Sequence, residues 1–184
     1  MRAFEYWASG NGLDNITPAG KAWPEGEEFP DVLREAVGDR SVVEFGCGTG
    51  RLAKIFSADR YIGVDICFAA ILQARMVVQG YSFRRITEAS TLPDADVTLA
   101  HTILLHIPDE DIERTAGRFR SGGVIVSEIL GRKWRRSGNP PVFNREQAEY
   151  EHVFAGLGFH LEDVRELPYP HYRDTNLTLL TFAK

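Results

Sequence analysis

Val42-Val43-Glu44-Phe45-Gly46-Cys47-Gly48-Thr49-Gly50 runs from a short apolar stretch into three glycines at alternating positions. The first half has the β-branched and aromatic composition of a buried strand. The second half lacks Cβ atoms where a chain leaving a strand must turn sharply, and glycine accepts the positive φ that such a turn demands. Residues 51–57 follow, with Leu52, Ile55 and Phe56 at helical spacing. The stretch therefore predicts a βα unit whose turn lets the backbone touch a ligand. A nucleotide-like occupant and a bare tight turn are both compatible with these residues alone.

Outward from this loop the pattern repeats. Strands are predicted over 41–45, 61–64, 82–86, 97–100 and 123–129, with helices over 51–57, 68–78 and 109–119 between them. Asp109, after Pro108, is the expected N-cap of the last of these. A preceding helix over 29–37 has Pro30 early and Gly38 just past its end. Alternating strands and helices imply a parallel sheet covered on both faces. A further helix starts near Asn144, Glu146 and Gln147 and stops before Gly156 and Gly158. Two final strands, over 160–166 and 177–182, suit an antiparallel pair. The fold expected is α/β: a Rossmann-like, doubly wound, seven-stranded sheet, mostly parallel with an antiparallel last strand. Residues 29–184 form its single domain. Residues 1–28, rich in aromatics and turn formers without a sustained period, form an arm that either closes over the site or packs against the sheet edge.

Bulk properties set limits on function. A chain of 184 residues with 43% hydrophobic residues buries enough core to fold without a staple. Two cysteines make no disulfide framework and fit a reducing compartment. No apolar run resembles a signal peptide or membrane span, so a cytoplasmic location without membrane contact is expected. A net charge of -5 opposes a large phosphate footprint, making nucleic acid an unfavoured partner and a small-molecule substrate the expected one. No residue pattern calls for a metal.

The loop itself narrows the ligand. A dinucleotide fingerprint reads G-x-G-x-x-G. Here the spacing is G-x-G-x-G, with Arg51 at the sixth position. Glu44 puts a carboxyl beside the loop, which suits an ammonium or sulfonium better than a pyrophosphate. Asp65, at the end of the second strand, is placed to accept the hydroxyls of a ribose or to cap the helix that follows; the two roles are compatible.

These residues resemble those of the class I S-adenosylmethionine-dependent methyltransferases. Glu44 to Gly50 match the first motif, Asp65 the ribose-binding acid, and Glu88-Ala89-Ser90-Thr91-Leu92-Pro93 the adenine-side loop. Asp96-Val97-Thr98-Leu99-Ala100-His101 and Gly122-Gly123-Val124-Ile125-Val126 match the fourth and fifth strands. The resemblance spans about residues 30–184 and implies S-adenosylmethionine as cofactor. It implies a cofactor site of Glu44, Phe45, Gly46, Cys47, Gly48, Gly50, Asp65, Ile66, Glu88, Ala89, Ala100 and His101. Glu88 stands where an Asp is more usual.

Methyl transfer mainly requires alignment and exclusion of water, and a general base helps when the acceptor is a hydroxyl. His101 lies nearest the expected methyl position. His106, in Leu104-Leu105-His106-Ile107-Pro108-Asp109, is similar to the segment where small-molecule O-methyltransferases place their base; a packing role is the alternative. Candidates on the acceptor side are Tyr6 and Trp7 in the arm, His171 in the last loop, and Trp134 and Arg135 in Arg132-Lys133-Trp134-Arg135-Arg136. That basic run reads either as an anion site or as a solvated loop. Asn139-Pro140-Pro141-Val142-Phe143 resembles a motif of base-modifying N-methyltransferases but follows the fifth strand rather than the fourth, which argues against that chemistry. The function expected is methylation of a small metabolite, anionic where the basic run is its binding site, at oxygen, nitrogen or carbon. Alternatives are a non-catalytic S-adenosylmethionine sensor or subunit and an RNA or protein methyltransferase.

Overall fold

The computed structural model describes residues 3–10, 12–19, 21, 28–138, 140–169 and 175–184. Seven strands form one sheet: β1 (Val42–Phe45), β2 (Tyr61–Asp65), β3 (Ser82–Arg85), β4 (Val97–His101), β5 (Gly123–Glu128), β6 (His160–Pro168) and β7 (Asn176–Ala183). Their spatial order is β3-β2-β1-β4-β5-β7-β6. Strands β1 to β5 are parallel, and β7 lies antiparallel between β5 and β6. This is the Rossmann-like sheet expected, with its single reversed strand at the end of the chain.

Side chains alternate across each strand, so each supplies both faces. Val42, Leu99, Ile125 and Leu179 meet helices α2 (Phe29–Val37) and α3 (Phe68–Val77) through Leu33, Val37, Ile71 and Ala74. Val43, Phe45, Ala100, Val126 and Leu180 meet α4 (Ile112–Ala116) and α5 (Gln147–Ala155) through Ile112, Ala116, Tyr150 and Phe154. A short α1 (Ala3–Ala8) and a 3-10 turn at Leu13–Asn15 make up the regular part of the arm.

Two expectations need correcting. The helix predicted over 51–57 is only a 3-10 turn at Ala53–Ile55, although Leu52, Ile55 and Phe56 are buried as foreseen. Few residues separate the glycine loop from β2, and 3-10 winding covers about 2.0 Å per residue against 1.5 Å for an α-helix. The helix over 109–119 is shorter, a 3-10 turn at Asp109–Asp111 leading into α4, and Asp109 does not cap it. Its carboxylate is taken instead by Arg135 and Arg145. The capped start expected near Asn144, Glu146 and Gln147 is found at Glu146, in a reciprocal capping box with Glu149.

β1 and β4 are neighbours, but the chain leaves β1 toward β2 and β3 and returns on the other side for β4 and β5. Connections diverge at the carboxyl ends of these two strands, and a crevice opens there. Among the described residues no helix is long and apolar enough to cross a membrane.

Candidate functional site

A cavity of about 640 Å³ occupies that crevice. It falls within the roughly 300–1,000 Å³ range of pockets that enclose a small organic ligand. Of the residues assigned to a cofactor from sequence, Glu44, Phe45, Gly46, Cys47, Gly48, Asp65, Ile66, Glu88 and His101 line it. Gly50, Ala89 and Ala100 are absent from its wall. Gly50 backs onto Phe83, Ala89 is exposed in the loop after β3, and Ala100 is buried in the core beneath.

Gly46 and Gly48 have φ of +78° and +53°. A Cβ at Gly46 would lie 2.4 Å from Ile103, and one at Gly48 would lie 2.7 Å from Ile16. Glycine is thus required twice over, by the turn and by the approach of two other segments. The arm is seated on the loop by more than Ile16: the Thr49 hydroxyl accepts the Ala19 N–H at 3.0 Å and donates to the Thr17 carbonyl at 3.2 Å.

Two buried carboxyls flank the loop. Asp65 accepts the Cys67 N–H through Oδ1 and the Gly48 N–H through Oδ2, both at 2.8 Å. It therefore braces the glycine loop and the start of α3 at once. Backbone amides, Ile66 among them, fill part of its accepting capacity, and the carboxylate keeps a lone-pair direction for a ligand hydroxyl. Burial pushes the Asp65 pKa up against the pull of those amide donors. Glu44 receives the Tyr61 hydroxyl, and burial still drives its pKa to about 8, with the Asp65 charge adding to the rise. The negative charge expected at Glu44 is thus conditional: the group holds its proton near neutral pH until a cation approaches.

The chain leaving β4 bends at Thr102, which has φ of +47°, an uncommon conformation for a β-branched residue. His101 and His106 lie on either side of the bend, and both line the cavity. His101 Nδ1 is 3.0 Å from Ser127 Oγ, and its ring packs on Phe29. His106 Nδ1 is 3.3 Å from the Pro141 carbonyl. A carbonyl only accepts, so Nδ1 carries the hydrogen and Nε2 keeps its lone pair. Burial, with the Arg136 charge adding, lowers the His106 pKa to about 4 against the pull of Pro141, so the ring is neutral near pH 7.

His106 sits on a 3-10 turn, Leu104–His106, that is clamped at its two ends by the buried side chains of Glu128 and Arg145. Glu128 Oε1 accepts the N–H groups of Ile103, Leu104 and Leu105 at 3.0, 2.7 and 3.3 Å. Arg145 donates to the carbonyls of Leu104 and Ile107 at 2.9 and 2.7 Å. The free N–H groups of the turn are thus accepted at its amino end and its carbonyls met by a cation at its carboxyl end, while burial drives the Glu128 pKa to about 8. Both side chains are essentially fully buried. Sequence reasoning missed this pair. A Glu inside the apolar run of β5 was the available signal, since a charge is not buried without partners.

On the acceptor side, Trp7 lines the cavity, with its ring 4.8 Å from that of His106. Tyr6 does not: it is buried inside the arm, where its hydroxyl accepts from Asn15. The basic run is split. Arg135 makes a bidentate pair with Asp109 and donates to the Asn144 carbonyl, away from the cavity wall. Arg132 pairs with Glu149. Trp134 and Arg136 are the members that reach the cavity, together with Pro140, Pro141 and Phe143. His171 lies outside the described residues. Arg136, Ile103, Ile16 and the Arg118 side chain, which ties the carbonyls of Thr87 and Ser90, also line the site without having been singled out in the sequence.

No family model matches the chain, and no curated protein sequence matches it. Solved structures do. The chain is similar to magnesium protoporphyrin IX methyltransferase from Synechocystis PCC 6803, solved with S-adenosylmethionine bound. That match has a TM-score of 0.74 and 16% identity, over 100% of this chain and 98% of that one. It is similar to 1,6-didemethyltoxoflavin-N1-methyltransferase from Burkholderia thailandensis, at a TM-score of 0.69 and 15% identity, over 98% of this chain and 84% of that one. A third likeness is to an S-adenosylmethionine-dependent methyltransferase from Mesorhizobium loti. Its TM-score is 0.64 and its identity 18%, over 94% of this chain and 100% of that one. At these identities the likeness establishes the fold.

Proposed function

We propose that this chain is an S-adenosylmethionine-dependent methyltransferase acting on a small molecule. The observation that carries the reading is one cavity at the sheet's switch point. It holds the glycine loop, the carboxyls of Glu44 and Asp65, and a neutral His106 with Nε2 unprotonated. The donor set fits the cofactor: a carboxyl for its cationic amino-acid end, an acid for its ribose, and Ile66 with Glu88 for its adenine. When bound, the cofactor supplies a methyl group activated by its sulfonium.

Asp65 takes the ribose hydroxyls while holding Gly48, so ligand and loop share one anchor. Glu44 answers the cationic end by releasing its proton. His106 Nε2 accepts the proton of the nucleophile, and His101 lines the path to it. Phe4, Trp7 and Ile16 make the arm a lid that excludes water. The similar solved proteins named for magnesium protoporphyrin IX and 1,6-didemethyltoxoflavin carry small acceptors in their names, which supports the same class here.

Ligands that bind only the folded state raise its melting temperature. S-adenosylmethionine and S-adenosylhomocysteine are expected to do so and NAD is not; a shift with NAD alone overturns the reading. Deleting residues 1–24 is expected to leave a folded protein with much reduced activity. Full activity would remove the lid.

A further inference from the structure

The four cations of the basic run are not equivalent. Arg132 and Arg135 are matched by Glu149 and Asp109, and Lys133 sits over the Trp134 ring with Nζ 5.4 Å from its centre. Arg136 faces the cavity, and among the described residues no acid lies within ion-pair distance of it. Its backbone is fixed: Arg136 N–H donates to the Val142 carbonyl at 3.1 Å, and Val142 N–H donates back at 3.0 Å. The same short hairpin presents the Pro141 carbonyl that sets the tautomer of His106. One element therefore orients a cation and a base toward a common space.

That space is walled by flat apolar groups, Trp7, Trp134 and Phe143. Trp7 Nε1 is shielded from solvent and has no acceptor among the described residues. Guanidinium groups hold carboxylates through two parallel hydrogen bonds, and indole faces bury planar rings with little loss of side-chain entropy.

Building on the methyltransferase reading, we propose that the acceptor is a planar aromatic hydroxy acid. Its carboxylate is held by Arg136, its ring lies against Trp7 and Trp134, and its hydroxyl donates to Nε2 of His106. The proposal selects Arg136, not Arg135, as the residue that decides specificity. A carboxylate on Arg136 also offsets the charge that, after burial, depresses His106.

The test uses the full chain saturated with S-adenosylhomocysteine and follows tryptophan fluorescence. It is titrated with 4-hydroxybenzoate, 6-hydroxy-2-naphthoate and the matching carboxamides. The acids are expected to bind at least about tenfold more tightly than the amides, equivalent to ~1.4 kcal/mol. Arg136→Gln is expected to abolish that preference and Arg135→Gln to keep it, with the thermal shift from S-adenosylhomocysteine unchanged in both. Equal affinity for acid and amide overturns the proposal. So does a preference that survives Arg136→Gln, or failure of every acid to bind a protein that S-adenosylhomocysteine stabilises. Absence of that stabilisation in the wild type overturns the cofactor reading and the inference with it.

Discussion

The two walls of the cavity are built by opposite means. The wall at β1 and β2 comes from residues 44–48 and 65–67, brought together by neighbouring parallel strands and tied by the Asp65 carboxylate. The wall opposite comes from the arm, the turn after β4 and the hairpin near residues 136–142, which share no strand ladder. It is held by buried side chains reaching far along the sequence, above all Glu128 and Arg145. A ladder makes the first wall rigid with or without side-chain chemistry. The second depends on a few polar contacts, so substitutions there should separate stability and acceptor handling from cofactor binding.

The largest effect is expected at the clamp. Arg145→Met leaves the carbonyls of Leu104 and Ile107 without their donor and Glu128 without its nearby cation. Each buried carbonyl left without its donor costs about 1–3 kcal/mol. Urea unfolding should show that loss, while S-adenosylhomocysteine still raises the melting temperature of the folded variant. A loss below about 1 kcal/mol would mean that the two walls are held alike.

Next comes His106→Ala. Loss of a general base typically lowers turnover by about 10²–10⁴. Cofactor affinity, measured by calorimetry, should stay within about twofold, a change of under ~0.5 kcal/mol. Weakening of both together would place His106 on the cofactor wall instead. Asp65→Ala is the converse, expected to weaken S-adenosylhomocysteine by at least about tenfold, since hydrogen bonds to a charged group contribute ~1.5–3 kcal/mol. Unchanged affinity would leave Asp65 as a brace for the loop alone.

Smaller still is the effect of pH. The folded pKa of Glu44, about 8, lies above its ordinary value of 4.5, so the folded state holds a proton that the unfolded state gives up. Its contribution to stability is fully present below pH 4.5 and is lost as pH rises toward 8; Glu128 behaves alike. His106 has the reverse sign, its contribution being lost as pH falls from 6.5 toward 4. A cationic ligand must displace the Glu44 proton, so affinity should rise between pH 6 and 8 and then level off. If the methionine ammonium is responsible, S-adenosylmethionine and S-adenosylhomocysteine will show the same slope. If the sulfonium is, only the first will. A flat profile for both, with no buffer-dependent proton release in calorimetry, would detach Glu44 from the ligand.

Legibility followed the same divide. Short apolar runs and period-3.6 patterns located all seven strands and the main helices, because central strands covered on both faces read as continuous apolar runs while each helix buries one stripe. Where they misled, at 51–57 and 109–119, chain length and the competing claims of Arg135 and Arg145 on Asp109 decided the outcome. Within the glycine loop, Gly46 and Gly48 face the cavity, but Gly50 serves packing against Phe83, a difference that spacing does not carry.

The sequence by itself determined the α/β sheet, the glycine turn and its two acids. Each follows from local periodicity, from φ that glycine permits, or from the position of a residue at a strand end. Tertiary structure alone decided that Tyr6 turns inward while Trp7 faces the cavity, that Arg135 is neutralised while Arg136 faces it, and that Glu128 and Arg145 grip the His106 turn. Those outcomes depend on which distant charge or ring arrives alongside, and adjacent residues of one type in one run carry no record of that.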